Sequence, residues 1–190
     1  MILGYLNLAS VRLCTESEGP GKRFAIWTQG CERRCLDCCN VEMQEIRKNK
    51  IVDVIDVIKL IEHSVEEYEI EGISLIGGEP ILQAQGLAEL AKWCQAHNLS
   101  VLMFTGYLYE ELLQMENEYV KKLLKYTDIL IDGPFLKEQY DEERDWVGSK
   151  NQNVIFLSEK YEQGIEFQNH LRSMELFVSN QEVLINGWPF

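Results

Sequence analysis

The sequence has no apolar run of ~18 residues, the length a membrane-spanning helix needs. Basic residues are scarce: 18 Lys and Arg stand against 31 Asp and Glu, for a net charge of −13. That balance argues against nonspecific nucleic-acid binding through phosphate neutralisation and against attachment to an anionic membrane surface. The N-terminus, MILGYLNLASVRLC, lacks a basic region ahead of its apolar stretch and lacks a small-residue cleavage pattern. No signal peptide is therefore expected, and a cytoplasmic location, where thiols stay reduced, follows. Repeats, low-complexity tracts and long linkers are missing, so 190 residues are expected to form one domain, 1–190. A composition of 46% hydrophobic and 26% charged residues excludes disorder. Six cysteines are too few for a disulfide scaffold, yet four of them (Cys31, Cys35, Cys38 and Cys39) fall within nine residues. In a reducing compartment such crowding points to metal binding or catalysis.

Five short apolar runs read as buried strands: Phe24–Thr28, Ile73–Ile76, Val101–Phe104, Ile129–Ile131 and Val154–Leu157. Helical patterns lie between most of them, at Ile51–Tyr68, Leu87–His97 and Tyr109–Leu124, the last broken near Asn117. Alternating strand and helix implies an α/β fold with a mainly parallel sheet. A closed eight-unit barrel needs ~250 residues, so an open partial (β/α) barrel is expected. Leu3–Leu13 and Met174–Ile185 read as flanking strands, the latter a hairpin turning at Ser179–Gln181. His63 and His97 fall on helical segments and read as solvated, His170 has no evident partner, and the charged run Asp141–Asp145 reads as a solvated segment.

Directly after the first of the five runs comes QGCERRCLDCCN, in which Cys31, Cys35 and Cys38 make a C-x3-C-x2-C spacing. Three thiolates so close can hold three irons of a cubane cluster and leave one metal position without a protein donor. Arg33 and Arg34 sit inside the loop and favour the thiolate forms. A structural zinc site competes, and would need a fourth ligand from Cys39, Cys14 or Cys94. Cys39 adjoins Cys38, and adjacent side chains point apart in most backbone conformations. Cys14 and Cys94 read as buried small hydrophobes. GGEP (Gly77–Pro80) ends the second run: its glycines let backbone approach a ligand closely, although a plain strand-to-helix turn with Pro80 opening the helix reads the same way.

The cysteine spacing after the first strand, together with GGEP, resembles the radical S-adenosylmethionine (SAM) enzymes. The approach GPGKRFAIWTQGC (Gly19–Cys31) resembles their glycyl-radical-enzyme activating branch. DILIDGPF (Asp128–Phe135), GSKNQ (Gly148–Gln152) and INGWP (Ile185–Pro189) are similar to the activating proteins of anaerobic ribonucleotide reductases. The resemblance implies a [4Fe-4S] cluster on Cys31, Cys35 and Cys38. It implies SAM bound near Asp37, Cys39, Gly77, Gly78, Glu79, Thr105 and Asp132. It implies one-electron reduction by a flavodoxin or ferredoxin, cleavage of SAM to a 5′-deoxyadenosyl radical, and hydrogen abstraction from a glycine of a partner enzyme. No acid–base residue is required. The chain departs from the pattern at Asp37, where many members carry an aromatic residue, at Cys39-Asn40-Val41, and at Val147 and Asn153, where arginines commonly flank the Gly148–Gln152 motif.

The short chain leaves few residues for a lid, which favours a macromolecular substrate completing the open barrel. A radical SAM enzyme acting on another peptide or small molecule, and a non-enzymatic metal-binding or electron-transfer module, stand as alternatives. Charge is uneven: residues 1–50 carry a net +2 and residues 51–190 a net −15. Lys22, Arg23, Arg33 and Arg34 are therefore expected to form a docking face for an acidic donor or partner.

Overall fold

The computed structural model describes residues 4–168, 174–178 and 183–187. Seven strands form one sheet: β1 (Tyr5–Thr15), β2 (Arg23–Thr28), β3 (Lys50–Asp53), β4 (Gly72–Gly77), β5 (Ser100–Phe104), β6 (Ile129–Asp132) and β7 (Asn153–Phe156). Their order is β3-β1-β2-β4-β5-β6-β7, so the sheet is open, with β3 and β7 at its edges. The helices are α1 (Val54–Tyr68), α2 (Ala84–Ala96), α3 (Tyr109–Gln114) and α4 (Glu118–Lys125). None is long and apolar enough to cross a membrane, among the described residues.

The α/β reading holds, with corrections at both sides of the sheet. Only β2–β4, β4–β5 and β5–β6 pair in parallel. The run expected at Val154–Leu157 is β7, which returns antiparallel to β6 because no crossover helix separates the two. The N-terminal strand is β1, which flanks the parallel strands as expected, paired antiparallel to both β2 and β3. Residues expected to open the first helix instead form β3, because Lys50–Asp53 pair with Leu8–Tyr5 along an otherwise open edge. The helix starts only at Val54, where the Asp53 side chain accepts the Ile55 N–H. Near Asn117 the helical pattern breaks as expected, since the Asn117 side chain caps α4 by accepting the Tyr119 N–H at 2.9 Å. The C-terminal strands β8 (Met174–Val178) and β9 (Val183–Gly187) pair antiparallel as a separate two-stranded sheet. The turn at Ser179–Gln181, His170, Trp188 and Pro189 lie outside the described residues.

Alternation along each strand sends side chains to two unlike faces. Phe24 and Ile26, Ile73 and Leu75, and Val101 and Met103 point into one core with Val57 and Ile61 of α1, Leu87 and Leu90 of α2, and Leu123 of α4. Ala25, Trp27 and Ile76 form a smaller cluster on the opposite face, packed with Met43 and Phe104. The helices therefore cover one face and leave the other for the loops that follow β2, β4, β5 and β6.

At the start of β2, Arg23 is fully buried. Its guanidinium donates to Ser74 Oγ at 2.7 Å, Ser100 Oγ at 3.0 Å, the Pro20 carbonyl at 3.1 Å and the Ile73 carbonyl. Burial holds its pKa below the usual arginine value. A Cβ at Gly19 would lie 2.7 Å from Arg23 Cδ, and one at Gly72 would lie 2.9 Å from Arg23 Nη2. The glycines thus make room for the guanidinium. Arg23 cannot belong to a docking face; it joins the loop before β2 to β4 and β5. Two further surface readings change. Asp141 is buried and pairs with Arg144 at 2.7 Å, so the solvated reading of the acidic run holds for the exposed Glu142 and Glu143 and fails at Asp141. Cys14 is only half-buried, whereas Cys94 is buried as expected. His63 and His97 are exposed, His97 stacking on Trp93 at 4.0 Å.

Replacing Arg23 by Met is expected to lower the unfolding free energy by about 2–4 kcal/mol, because buried hydroxyls and carbonyls lose their donor. Urea denaturation of the variant checks this; an unchanged midpoint would show that the guanidinium is dispensable.

Candidate functional site

Strands β2 and β4 run in register up to Thr28 and Gly77. Beyond that point their exits stay joined. The Gly78 N–H donates to the Thr28 carbonyl and the Glu79 N–H to the Gly30 carbonyl, both at 2.8 Å. A Cβ at Gly77 would lie 2.3 Å from Thr28 N, and one at Gly78 would lie 2.2 Å from the Gly30 oxygen. Gly77 also sits at φ +104°, a conformation that side chains rarely adopt. The two glycines are therefore demanded by the neighbouring backbone, whatever else approaches them.

The cysteine loop leaves β2 at this junction and comes back to it. The Gly30 N–H donates to the Met43 carbonyl at 2.8 Å, and the Cys31 N–H to the Gln44 carbonyl at 3.0 Å. Amide side chains close the loop's stem. Gln29 Nε2 donates to the Glu45 carbonyl at 2.7 Å, and Asn7 Nδ2 to the Arg47 carbonyl at 2.7 Å. Gln83 Nε2 donates to the carbonyls of Asn7 at 2.9 Å and Gln29 at 3.2 Å. Arg34 at φ 48° and Asp37 at φ 59° give the tight bends between the cysteines.

This loop borders a cavity of about 1090 Å³ on the helix-free face of the sheet. Cys31, Cys35, Cys38 and Cys39 line it together with Gly77, Gly78, Glu79 and Thr105. Trp27, Phe104 and Trp146 supply its apolar wall. Two expected site residues are elsewhere. Asp37 is exposed at a separate cleft of about 380 Å³ and pairs with Lys137 at 3.6 Å. Asp132 is buried with both oxygens engaged: one accepts the Tyr109 N–H at 2.7 Å, the other Asn153 Nδ2 at 2.8 Å and the Asn153 N–H at 3.1 Å. It fastens β6 to the start of α3 and to β7, and Asn153, which replaces a commonly found arginine, is its partner. Thr105 and Glu79 line the cavity but also bind each other.

Glu79 is the electrostatic knot of the site. Its carboxylate accepts the Gly106 N–H at 2.8 Å, Thr105 Oγ1 at 2.9 Å and the Ile81 N–H at 3.0 Å, so it ties the exit of β5 to that of β4. Burial nevertheless pushes its pKa from 4.5 up to about 6, against those hydrogen bonds and the nearby Arg33. Arg33 reaches across from the cysteine loop, its guanidinium carbon 4.7 Å from the Tyr107 ring centroid and Nη1 3.7 Å from Glu111 Oε1. Among the thiols, Cys38 is lowered to about 6, chiefly by the Cys39 thiol hydrogen-bonding to it. That same bond, with burial, raises Cys39. Burial raises Cys31, while the backbone N–H groups of Arg34 and Arg33 oppose the rise.

No group of three or more His, Cys, Asp or Glu side chains converges on a single ion, among the described residues. A cubane places a different demand on its ligands, since each cysteine binds its own iron. Three cysteines of one loop opening on one cavity fit that demand, with one thiol lowered and hydrogen-bonded by the Asn40 N–H at 3.4 Å. Spacing reveals these three cysteines; it gives no sign of Gln44, or of Arg144, which donates to the carbonyls of Gln152 at 2.8 Å and Ser149 at 3.2 Å and so props the Gly148–Gln152 turn at the cavity wall.

The chain is similar to several known proteins. The sequence model of a family described as a 4Fe-4S single cluster domain matches residues 17–155. The anaerobic ribonucleoside-triphosphate reductase-activating protein of Enterobacteria phage T4 is 29% identical over 153 residues, covering 78% of this chain and 93% of that protein. The protein of the same name from Vibrio cholerae is 29% identical over 72% of this chain and 88% of its own length. Pyruvate formate-lyase 1-activating enzyme of Escherichia coli (strain K12) is 27% identical over 96% of this chain and 69% of its own. The crystal structure of QueE from Escherichia coli overlaps 56% of this chain and 54% of that chain at 18% identity, with a TM-score of 0.43, too low to bear on the fold.

The raised Glu79 pKa fixes a pH dependence. Folding binds the proton more tightly, so this group favours the fold most below pH 4.5, and the advantage is lost as pH rises through about 6. Across that window the wild type should lose about 2 kcal/mol relative to Glu79→Gln. Denaturant titrations of both proteins at several pH values measure the difference; parallel profiles would refute it.

Proposed function

The chain belongs to the 4Fe-4S single cluster domain family, and from that membership we propose that it is a radical SAM activase that generates a glycyl radical on a partner enzyme. The observation that carries the reading is the shared cavity: Cys31, Cys35 and Cys38 from the exit of β2 face the same space as Gly77, Gly78 and Glu79 from the exit of β4. An anaerobic ribonucleotide reductase is the preferred partner, because the similarity spans 93% of the phage T4 activating protein but 69% of the pyruvate formate-lyase activating enzyme.

In this reading Cys31, Cys35 and Cys38 hold a [4Fe-4S] cluster, and the cluster with SAM supplies one-electron chemistry when bound. The chain's own work is to bind, orient and exclude. The Gly78 and Glu79 backbone marks how close a ligand can come to the cysteine loop. Arg33, braced by Tyr107 and Glu111, holds the loop toward the exit of β5. Trp27, Phe104 and Trp146 keep water from the cavity wall. The open sheet serves as a partial barrel in one domain, and a loop of the partner enters from its open face. A flavodoxin or ferredoxin in a reducing cytoplasm supplies the electron. The docking face for it includes Arg34, Lys48 and Lys50, all exposed near the loop, and excludes the buried Arg23.

Anaerobic reconstitution of the wild type with iron and sulfide should give broad absorption near ~400 nm, as thiolate-held clusters do, and reductive cleavage of SAM. Cys31→Ala, Cys35→Ala and Cys38→Ala should each abolish cleavage, while Cys39→Ala keeps the cluster. A wild type that takes up zinc and remains colourless would sink the proposal. Arg34→Glu with Lys48→Glu should slow reduction by an acidic donor severalfold at low salt and little at high salt. Stopped-flow reduction measures that rate, and equal rates at low salt would remove these residues from the docking face.

A further inference from the structure

Asn7, Gln29, Asn49 and Gln83 form a network of carboxamides at the stem of the cysteine loop, and Gln83 is the member that belongs to the exit of β4. Its Oε1 accepts the Asn7 N–H at 2.7 Å, and its Nε2 donates to the Asn7 carbonyl at 2.9 Å. The side chain thus meets β1 as a neighbouring peptide group would. Nε2 also donates at 3.2 Å to the carbonyl of Gln29, which stands just before Gly30 and Cys31. One carboxamide nitrogen carries two N–H donors, enough for both carbonyls. The remaining amides fasten the returning end of the loop: Asn7 Oδ1 accepts the Asn49 N–H at 2.8 Å, and Gln29 Oε1 accepts Asn49 Nδ2 at 3.1 Å. Gln83 itself closes the short turn Pro80–Gln83, which directly follows Gly77, Gly78 and Glu79.

We infer that Gln83 is a positioning residue that sets the placement of the Gly77–Glu79 exit against the cysteine loop, and through it the affinity for SAM. The inference rests on the reading proposed above, in which one ligand touches both. The Gly78 and Glu79 N–H groups already join the two exits, to the carbonyls of Thr28 and Gly30. Gln83 adds a second tie one turn further along the chain, to Gln29 and to β1. Ties at two separate points fix an angle as well as a distance; with the first alone the exits can pivot about it. A ligand that spans two groups loses affinity when their mutual placement is no longer pre-organised. Without the carboxamide the Asn7 N–H loses its acceptor and the Gln29 carbonyl loses a donor, while the Asn7 carbonyl keeps the Gln29 N–H at 2.8 Å. The partners of Gln83 are Asn7 and Gln29 and not the cysteines, so the thiols can still take up a cluster.

The test compares wild type with Gln83→Leu, which removes the carboxamide, Gln83→Glu, which keeps its shape but sets an acceptor against two carbonyls, and Gln83→Asn, which keeps the amide and shortens its reach. Gln95→Leu is the control: it removes an amide at the other end of α2, where Gln95 Nε2 donates to Asp128 Oδ2 at 2.6 Å. Each protein is reconstituted anaerobically with iron and sulfide, its iron content is measured, and SAM binding is followed by calorimetry. Gln83→Leu and Gln83→Glu should hold as much iron as wild type and bind SAM about tenfold more weakly, the equivalent of one buried polar group left unsatisfied. Gln83→Asn should fall between them and wild type. Gln95→Leu should unfold at a lower temperature and bind SAM as wild type does. Wild-type affinity in every Gln83 variant that folds would overturn the inference, as would an equal loss in Gln95→Leu, which would trace the effect to general destabilisation. Folded Gln83 variants that take up no cluster would also overturn it, since the residue would then serve the ligands themselves. Unfolding of all three apo-proteins, read by circular dichroism, would make Gln83 purely structural and overturn it too. Failure of the wild type to form any cluster would instead defeat the functional reading on which the inference rests.

Discussion

The site depends on how closely two parallel strands can run once they leave the sheet. Beyond Thr28 and Gly77 the chains of β2 and β4 stay joined by the Gly78 and Glu79 N–H groups, each 2.8 Å from a carbonyl of the other exit. No side chain fits between them, since a Cβ at either Gly77 or Gly78 would lie within 2.3 Å of backbone. That contact decides where the cysteine loop begins and where Glu79 points. It also places Gly78 beside the loop, so that one ligand can span both. Glu79 carries the constraint to the third parallel strand through Thr105 and the Gly106 N–H.

The one-sided layering follows from the same strands. Period-2 alternation sends one set of residues under the helices and leaves Trp27, Ile76 and Phe104 facing the loops. A sheet covered on one face by helices and on the other only by loops has room for a cavity of about 1090 Å³. At its other end the sheet is tied by Arg23, which satisfies the hydroxyls of Ser74 and Ser100 and the carbonyls of Pro20 and Ile73. The buried guanidinium and the glycines around it account for the Gly19–Arg23 stretch as a packing solution. Part of the resemblance carried by that stretch therefore reflects how β2 is seated.

Legibility in the sequence divided by the range of the interaction. The central strands, the helix break at Asn117 and the gathering of the cysteines in one loop were readable because alternation, capping and residue spacing are local properties. β3 was missed because Lys50–Asp53 are strand only by pairing with β1, some forty residues earlier. Asp141, in a run whose Glu142 and Glu143 are indeed exposed, looked solvated as well because nothing nearby in sequence shows that Arg144 will pair with it and reach the Ser149 and Gln152 carbonyls. Asp132 resembled a ligand-binding residue at a strand end, yet its oxygens are taken by Tyr109 and Asn153. Arg23 looked like a surface charge because most arginines are, and only the tertiary fold supplies enough acceptors to bury one.

The sequence by itself determined the chemistry available: three closely spaced thiols and a glycine pair one strand later. These are covalent facts of residue type and separation, and no fold is needed to state them. The tertiary structure alone decided which groups share the cavity. It kept Gly77, Gly78, Glu79 and Thr105 there, moved Asp37 to a neighbouring cleft and committed Asp132 to the scaffold. Hydrogen-bond capacity is the physical reason. A polar group can be offered to a ligand only where the fold has not already used its donors and acceptors, and that accounting closes only in three dimensions.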